Sequence, residues 1–320
     1  MLRVAIFFSI AFLASRSLAK PDEPVAENPR IQQWIAQLQN DDVRTQWYAA
    51  YALGQAGPDS VAAIEPLMTI LANLSGHEYV RGTAAWALGR IGPEAEQAAP
   101  LLIETLESAH LAVRRNSPLA LARIGRPAAM PAVPRLIELL SDPDAEVRVN
   151  SATALWQIDR QERAIAALGK ILTGSERGAY EAAVALGQLD APPEEVVLDA
   201  LVRAFASEDA TVRRAAARSA GTLGKTAIPR LATVLDHTSE RVRQTAVEAF
   251  SWMGPQAVAP LIVALQNDSS DVRRAAARAL GRMGPAAVQA ESALVAALND
   301  PQGDVRQAVA WAIGRVRAEP

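Results

Sequence analysis

Few residues of this chain have types and spacing suited to catalysis. The 320 residues include no cysteine and only three histidines, at positions 77, 110 and 237, so thiolate metal sites are excluded and histidine acid–base chemistry has little material. Gly-Lys-Thr at residues 224–226 resembles the end of a phosphate-binding loop. That motif needs a glycine where Ser219 stands, and it needs a preceding strand. The sequence therefore predicts no catalytic residues, no metal ligands and no cofactor.

The composition favours a globular chain with a neutral to slightly acidic surface. Half of the residues are hydrophobic, which is enough for a large core, and the formal net charge is −3. This balance gives no reason to expect nucleic acid as a partner. Only three of the 32 basic residues are lysines. The arginine bias fits either recognition by rigid guanidinium groups or a GC-rich genome.

The N-terminal residues 1–19 have the pattern of a secretory signal peptide. Arg3 precedes an apolar core at residues 4–14, and small residues up to Ala19 offer a cleavage site. The core is shorter than the roughly 20 residues that span a bilayer, although an N-terminal anchor is the alternative. Residues 20–30 are polar and rich in proline, so we expect a disordered lead-in. The pattern predicts an exported protein, periplasmic or secreted, without stable membrane insertion after cleavage.

The elements that would position any site are internal repeats. The pattern Val-Arg-x-x-Ala-Ala-x-Ala-Leu-Gly-x-Ile-Gly is best preserved at residues 80–92 and 272–284, and a degenerate copy without Val-Arg occupies residues 178–190. Nine copies follow one another at spacings of 30 to 35 residues. With the valine numbered as position 0, positions 0, 4, 7, 8 and 11 form one apolar helical face. The glycine at position 12 suits a helix C-cap.

A second apolar run precedes each copy. Examples lie at residues 100–106, 134–140 and 260–265, each with proline in or near the opening turn. Each repeat is therefore predicted to be an A-helix, a polar turn and a B-helix. One such pair cannot bury both of its apolar faces, so the pairs must stack. The sequence predicts an all-α solenoid of about nine helix pairs over residues 31–317.

The repeat resembles the HEAT-like repeat of phycobilisome bilin lyases, the E/Z type. The resemblance covers about residues 31–317 and implies a right-handed α-α superhelix. This family includes bilin lyases, a di-iron hydroxylase of deoxyhypusine and scaffolds without chemistry. The hydroxylase holds iron through repeated His-Glu pairs, of which only His77-Glu78 occurs here, and His77 is better explained as a helix-start residue. Bilin lyases act inside the cell, in conflict with the predicted export.

The resemblance and the residues together favour binding over catalysis. We expect a non-catalytic exported scaffold that binds a protein or peptide on its concave face. The alternative is an enzyme of the HEAT-like class, either bilin lyase-like or hydroxylase-like. Arginine at position 1 recurs in eight repeats, and in HEAT-like stacks it typically pairs with an acid of the neighbouring repeat. We expect this arginine to be structural.

Positions 2, 6 and 10 of the B-helices point away from the buried stripe. They carry aromatic residues in the N-terminal repeats and arginines in the C-terminal ones, the types enriched at binding hot spots. On the helical wheel, Trp86 and Trp311 have no core-packing role. We expect a groove for an extended polypeptide, or for an acidic polymer in the C-terminal half; packing against adjacent repeats is the alternative. The predicted binding residues are Tyr51, Trp86, Arg90, Arg214, Arg278, Arg282, Trp311 and Arg315.

Two repeats depart from the pattern. Pro118 lies inside the third B-helix and should kink it. The fifth repeat lacks the cap glycine as well as Val-Arg, and Gly174 and Gly178 loosen its start. These departures indicate either a bend in the solenoid or sequence drift.

Overall fold

The computed structural model describes residues 28–174, 178–190, 192 and 194–318. The predicted signal peptide and residues 20–27 of the predicted lead-in lie outside this part of the chain. Asn28 caps the first helix by accepting a hydrogen bond from the backbone N–H of Arg30, and the helix begins at Pro29. The last residues of the predicted lead-in are therefore helical.

Eighteen α-helices, in nine consecutive A/B pairs, make up most of the described residues, and no strand occurs among them. The pairs are α1 (Pro29–Gln37) and α2 (Val43–Ala56), α3 (Ile64–Ala72) and α4 (Glu78–Ile91), α5 (Ala99–Glu104) and α6 (Leu111–Ile124), α7 (Val133–Glu138) and α8 (Ala145–Asp159), α9 (Glu162–Thr173) and α10 (Ala179–Gly187), α11 (Glu194–Arg203) and α12 (Ala210–Thr222), α13 (Ile228–Val234) and α14 (Glu240–Trp252), α15 (Val258–Ala264) and α16 (Ser270–Met283), and α17 (Glu291–Ala297) and α18 (Gly303–Val316). Odd-numbered helices are the A-helices and even-numbered ones the B-helices. The predicted all-α solenoid is confirmed.

Side chains and glycines fix the ends of the B-helices. Asp42, Asp144 and Asp209 each accept a hydrogen bond from a backbone N–H in the first turn of α2, α8 and α12. His77 plays this role for α4, where its Nδ1 accepts from the N–H of Tyr79 at 3.3 Å. Gly92 ends the same helix with φ of 88°, a conformation that a residue with a Cβ rarely adopts. These caps explain why turns separate the helices at regular intervals.

Consecutive B-helices pack closely because position 9 is usually glycine. A Cβ built on Gly89 would lie 2.5 Å from the Cα of Ala120 in the next B-helix, and one on Gly187 would lie 2.4 Å from the Oγ of Ser219. Such distances are far below van der Waals contact, so any larger residue would force the helices apart. The glycines thus allow α4 to pack on α6 and α10 on α12.

The B-helix layer is weakest between α8 and α10, whose contact is the smallest between successive B-helices in the described residues. Position 9 of α8 is Trp156, which is buried and donates its indole N–H to the carbonyl oxygen of Asp190 at 2.9 Å. The indole fills the space that glycine leaves open elsewhere, while α9 packs against α8, α10 and α11. In contrast, α6 runs through Pro118 without interruption. The loss of the repeat pattern in the fifth repeat therefore coincides with a weak B-helix contact between the fourth and fifth repeats.

The position-1 arginines are structural, but their usual partner differs from the one predicted. Arg213 donates from Nη1 to the carbonyl oxygens of Ser207 and Glu208, which lie six and five residues earlier in its own A–B turn. Equivalent contacts are made by Arg148, Arg243, Arg273 and Arg306, and Arg114 contacts the carbonyl six residues earlier. Arg114 and Arg273 each add an ion pair with an aspartate of the next repeat. The position-1 arginine therefore mainly stabilises the A–B turn of its own repeat through hydrogen bonds to carbonyl groups.

Gly89→Ala should destabilise the protein although alanine is the better helix former. The propensity gain is at most about 1 kcal/mol, whereas overpacking a close helix contact costs typically about 1–3 kcal/mol. We expect a lower denaturation midpoint in urea. Gly314→Ala is the matched control, because this position-9 glycine lies in the last repeat and a Cβ there meets no atom within 4 Å. It should leave the midpoint unchanged or raise it, and equal losses in both variants would contradict this account.

Arg273→Ala should lower stability at neutral pH by about 2 kcal/mol, since it removes charge-assisted hydrogen bonds to Asp300 and to the turn. The hydrogen bond from Arg273 holds the pKa of the Asp300 carboxyl below its usual value. The ion pair therefore stabilises the fold above the unfolded-state pKa, and this contribution is lost as the pH falls through the folded-state pKa. The difference from wild type, measured by denaturation at several pH values, should shrink below about pH 4. Arg213→Ala removes turn contacts but no ion pair among the described residues, so it should show a smaller loss that depends less on pH.

Candidate protein-binding face

The exposed side chains at positions 2, 6 and 10 of the B-helices form one surface, here named the inner face. Arg214 of α12, Val247 of α14 and Arg278 of α16 border a single depression of about 240 Å³. Arg278 also borders the adjoining depression of about 420 Å³, together with Trp311 of α18. Because one depression is shared by three successive B-helices, the C-terminal repeats present a continuous groove.

The N-terminal repeats carry a stacked column of aromatic rings on the inner face. The ring centroids of Trp47 and Tyr51 are 5.4 Å apart, and those of Tyr51 and Trp86 are also 5.4 Å apart, with 9° between the planes in each case. The guanidinium of Arg90 lies 6.0 Å from the centroid of Trp86. Three of the predicted binding residues are therefore in one cluster. Tyr51 remains 40% exposed.

The prediction that Trp86 and Trp311 lack a packing role was wrong. A Cβ on Gly54 would lie 2.2 Å from Cζ3 of Trp86, and one on Gly281 would lie 2.4 Å from Cζ3 of Trp311. Each indole edge therefore rests on the position-9 glycine of the preceding repeat, which a helical wheel of one repeat cannot show. Trp311 nevertheless stays 46% exposed, so packing and accessibility coexist in one side chain.

The C-terminal repeats carry arginines that are not neutralised. The other four predicted arginines are exposed, and none forms an ion pair with any residue that the structure describes: Arg214, Arg278, Arg282 and Arg315. Arg274, by contrast, pairs with Asp271 and also approaches Asp304. Glu248 is the other carboxylate that borders the 240 Å³ depression. The groove is therefore predominantly basic.

Sequence reasoning missed Trp47 and the contact between Arg218 and Trp252 on the inner face. Trp47 was overlooked because an insertion in the first repeat shifts its alignment. Arg218 stacks over Trp252, with 5.3 Å between the guanidinium carbon and the ring centroid, and Trp252 is 51% exposed. This pair joins position 6 of one repeat to position 10 of the next. The sequence showed that arginine and aromatic residues recur at positions 6 and 10, but it did not show that position 6 of one repeat lies beside position 10 of the next.

The central repeats offer less to a ligand. Arg115 of α6 hydrogen-bonds both carboxylate oxygens of Asp144 and also pairs with Glu146. The hydrogen bonds from Arg115 lower the pKa of Asp144. The charge of this guanidinium is thus neutralised by carboxylates of the next repeat. Seven of the eight predicted residues consequently divide into an N-terminal aromatic cluster and a C-terminal basic groove, whereas Arg315 is exposed on α18 and borders neither depression.

The described residues hold no group of three or more His, Asp or Glu side chains arranged to bind a metal ion. Glu78 and His110 form a pair on an exposed surface, with 3.8 Å between the Oε2 and Nδ1 atoms. Within the same residues, no helix combines the length and apolarity needed to cross a membrane.

Relative to free tryptophan quenched by the same ions, Trp252 and Trp311 should be quenched more strongly by iodide than by caesium, because a positive surface concentrates anions. Trp252→Phe/Trp311→Phe should remove most of the difference between the two ions in a Stern–Volmer titration. Trp156→Phe is the control, since this indole is only 4% exposed, and it should leave the difference unchanged. Equal quenching by both ions in the wild type would contradict a basic inner face.

A family model and two solved structures are similar to this chain. One similar solved structure is an engineered protein, 25% identical, with a TM-score of 0.41, covering 89% of this chain and 88% of that chain. Another is human deoxyhypusine hydroxylase in complex with glycerol, 23% identical, with a TM-score of 0.35, covering 92% of this chain and 98% of that chain. No match is found among curated proteins. The family model for HEAT repeats matches residues 31–122, 99–187, 133–221, 198–271 and 258–320. The chain therefore belongs to the HEAT-repeat family.

Proposed function

We propose that this protein is an exported, non-catalytic scaffold that binds a polypeptide segment along its inner face. The observation that carries the proposal is that exposed aromatic and arginine side chains from successive repeats lie side by side on one surface. These are the residue types that dominate binding energy at protein interfaces. HEAT repeats commonly mediate protein–protein interactions, which supports the same conclusion.

An extended segment suits this surface better than a compact ligand. Packed helices are about 8–10 Å apart, so the B-helices of nine repeats offer a surface of roughly 80 Å. The depressions are open and shared between neighbouring helices, and the two clusters lie in opposite halves of the chain. A polypeptide that contacts both clusters must therefore run along the solenoid.

Export rests on the signal-peptide pattern of residues 1–19. If the proposal is correct, protein isolated from a periplasmic or secreted fraction should lack these residues by mass spectrometry. The E/Z subtype within the HEAT repeats likewise rests on the repeat pattern alone. A coloured or iron-containing purified protein would instead favour the enzymatic alternative.

The binding proposal is tested by affinity capture from the extracytoplasmic fraction with residues 20–320 as bait. The inner-face variant Arg278→Ala/Arg282→Ala/Trp311→Ala removes three side chains that border one depression. The control variant Arg163→Ala/Lys170→Ala/Val263→Ala removes two exposed basic residues and one exposed apolar residue from A-helices. We expect a protein that the wild type and the control capture and the inner-face variant loses.

Equal capture by all three baits would place the binding site outside the inner face. Absence of any specific protein from all three captures would contradict a scaffold role in that compartment. The denaturation midpoints of the wild type and the control should agree, because the substituted side chains of the control lie at the surface. The inner-face variant loses the packing of Trp311 on Gly281, so its midpoint should be somewhat lower, and capture is carried out well below the midpoints of all three baits.

A further inference from the structure

We infer that the C-terminal half of the inner face recognises an acidic polypeptide segment. This inference rests on the proposed function and specifies the chemistry of the partner. The basic groove is defined by its arginines, Arg214, Arg218, Arg278 and Arg282, which Trp252 and Trp311 accompany.

The charge of the groove opposes that of the whole chain. The chain has a formal net charge of −3, yet four arginines and only two carboxylates border the 240 Å³ depression. One of those carboxylates, Asp271, is engaged by Arg274. The three remaining arginines therefore face a single acid, Glu248. An anionic ligand would relieve the repulsion between these guanidinium groups.

Arginines elsewhere in the solenoid behave differently. Many of them pair with carboxylates of the chain itself: Arg114, Arg115, Arg126, Arg160, Arg230, Arg241, Arg273 and Arg317. The arginines of the basic groove have no such partner within the residues described. Four exposed guanidinium groups without a carboxylate partner among the described residues, those of Arg214, Arg218, Arg278 and Arg282, are therefore concentrated on α12 and α16.

The residues between the arginines favour a polypeptide over a simple anion. Trp252 and Trp311 expose about half of their area beside the arginines, and indoles bind apolar and aromatic side chains. Gln307 borders the same depression as Trp311. Its amide carries both a donor and an acceptor, which suits a peptide bond. The surface thus offers contacts for carboxylates, apolar side chains and backbone together.

The spacing of the arginines predicts the spacing of acids in the ligand. Arg214 and Arg218 lie on α12, whereas Arg278 and Arg282 lie on α16, two B-helices further along. At about 8–10 Å between neighbouring helices, the two arginine pairs are roughly 16–20 Å apart. An extended chain covers this distance in about six residues. The preferred segment therefore has two acidic pairs about six residues apart, with an apolar residue between them to contact Trp252.

The experiment measures fluorescence anisotropy of labelled peptides with residues 20–320. One peptide carries two Glu-Glu pairs about six residues apart around a central leucine. A second has the same composition with the four glutamates adjacent, and a third has glutamine in place of each glutamate. We expect the first to bind several-fold more tightly than the second, the third to bind weakly or not at all, and the affinity to fall as salt is raised.

Variants of the protein test the assignment of the groove. Arg278→Glu/Arg282→Glu should weaken binding of the first peptide roughly ten-fold or more, because two attractions become repulsions. Arg163→Glu/Lys170→Glu makes the same change in net charge on α9 and should alter binding by less than about two-fold. Glu248→Gln should strengthen binding about two- to five-fold. A gain of affinity cannot result from misfolding, so this variant keeps the test decisive.

Each contrary outcome has a distinct meaning. Equal weakening by the two charge-reversal variants would show a net-charge effect and overturn the groove assignment. Tight binding of the glutamine peptide would overturn the acidic specificity, and stronger binding of a single-stranded oligonucleotide of equal charge would reassign the groove to nucleic acid. If capture of a protein partner still depends on Arg278, Arg282 and Trp311 in those cases, the scaffold proposal stands while this inference fails.

Discussion

Close contact between successive B-helices is the constraint on which the rest of the molecule depends. At Gly89 and Gly187 the next B-helix approaches to distances that a Cβ would not permit. Each repeat contacts mainly its neighbours, so the stability of such an array is the sum of these local interfaces. Where Trp156 replaces the glycine, the layer is interrupted and an A-helix, α9, maintains the connection. The position-9 glycine, which has no side chain, therefore determines how the exposed aromatic and arginine side chains of neighbouring repeats are arranged.

The same contact builds the candidate binding face. Gly54 provides the surface on which the edge of Trp86 rests, and Gly281 does so for Trp311. An indole held in this way loses little conformational freedom when a ligand binds to its open side, which reduces the entropic cost of association. The packing that joins the repeats and the pre-organisation of the aromatic residues are thus two consequences of one interaction.

The fold was predictable from the sequence because nine copies report the same helix pair, and errors in single copies do not change the pattern. The two exposed clusters were also predictable, since they follow from positions within one repeat. The hydrogen-bond partners of individual side chains were not predictable. Arg213 binds backbone carbonyl groups, and because every residue has a carbonyl group, residue types cannot show which one is bound. The stacking of Arg218 on Trp252 depends on the offset between repeats, which a single helical wheel does not contain.

Arginine has two roles in this chain, and its position in the repeat separates them. At position 1 the guanidinium reaches into the turn and satisfies carbonyl groups, so Arg213 and Arg273 stabilise the repeats that contain them. On the inner face, Arg278 and Arg282 stand one helical turn apart without a carboxylate partner among the described residues, and like charges at this spacing destabilise a helix. The solenoid gains nothing from that second set by itself. A bound acidic segment would turn the repulsion into attraction, and binding is therefore the role that best accounts for arginines in those positions.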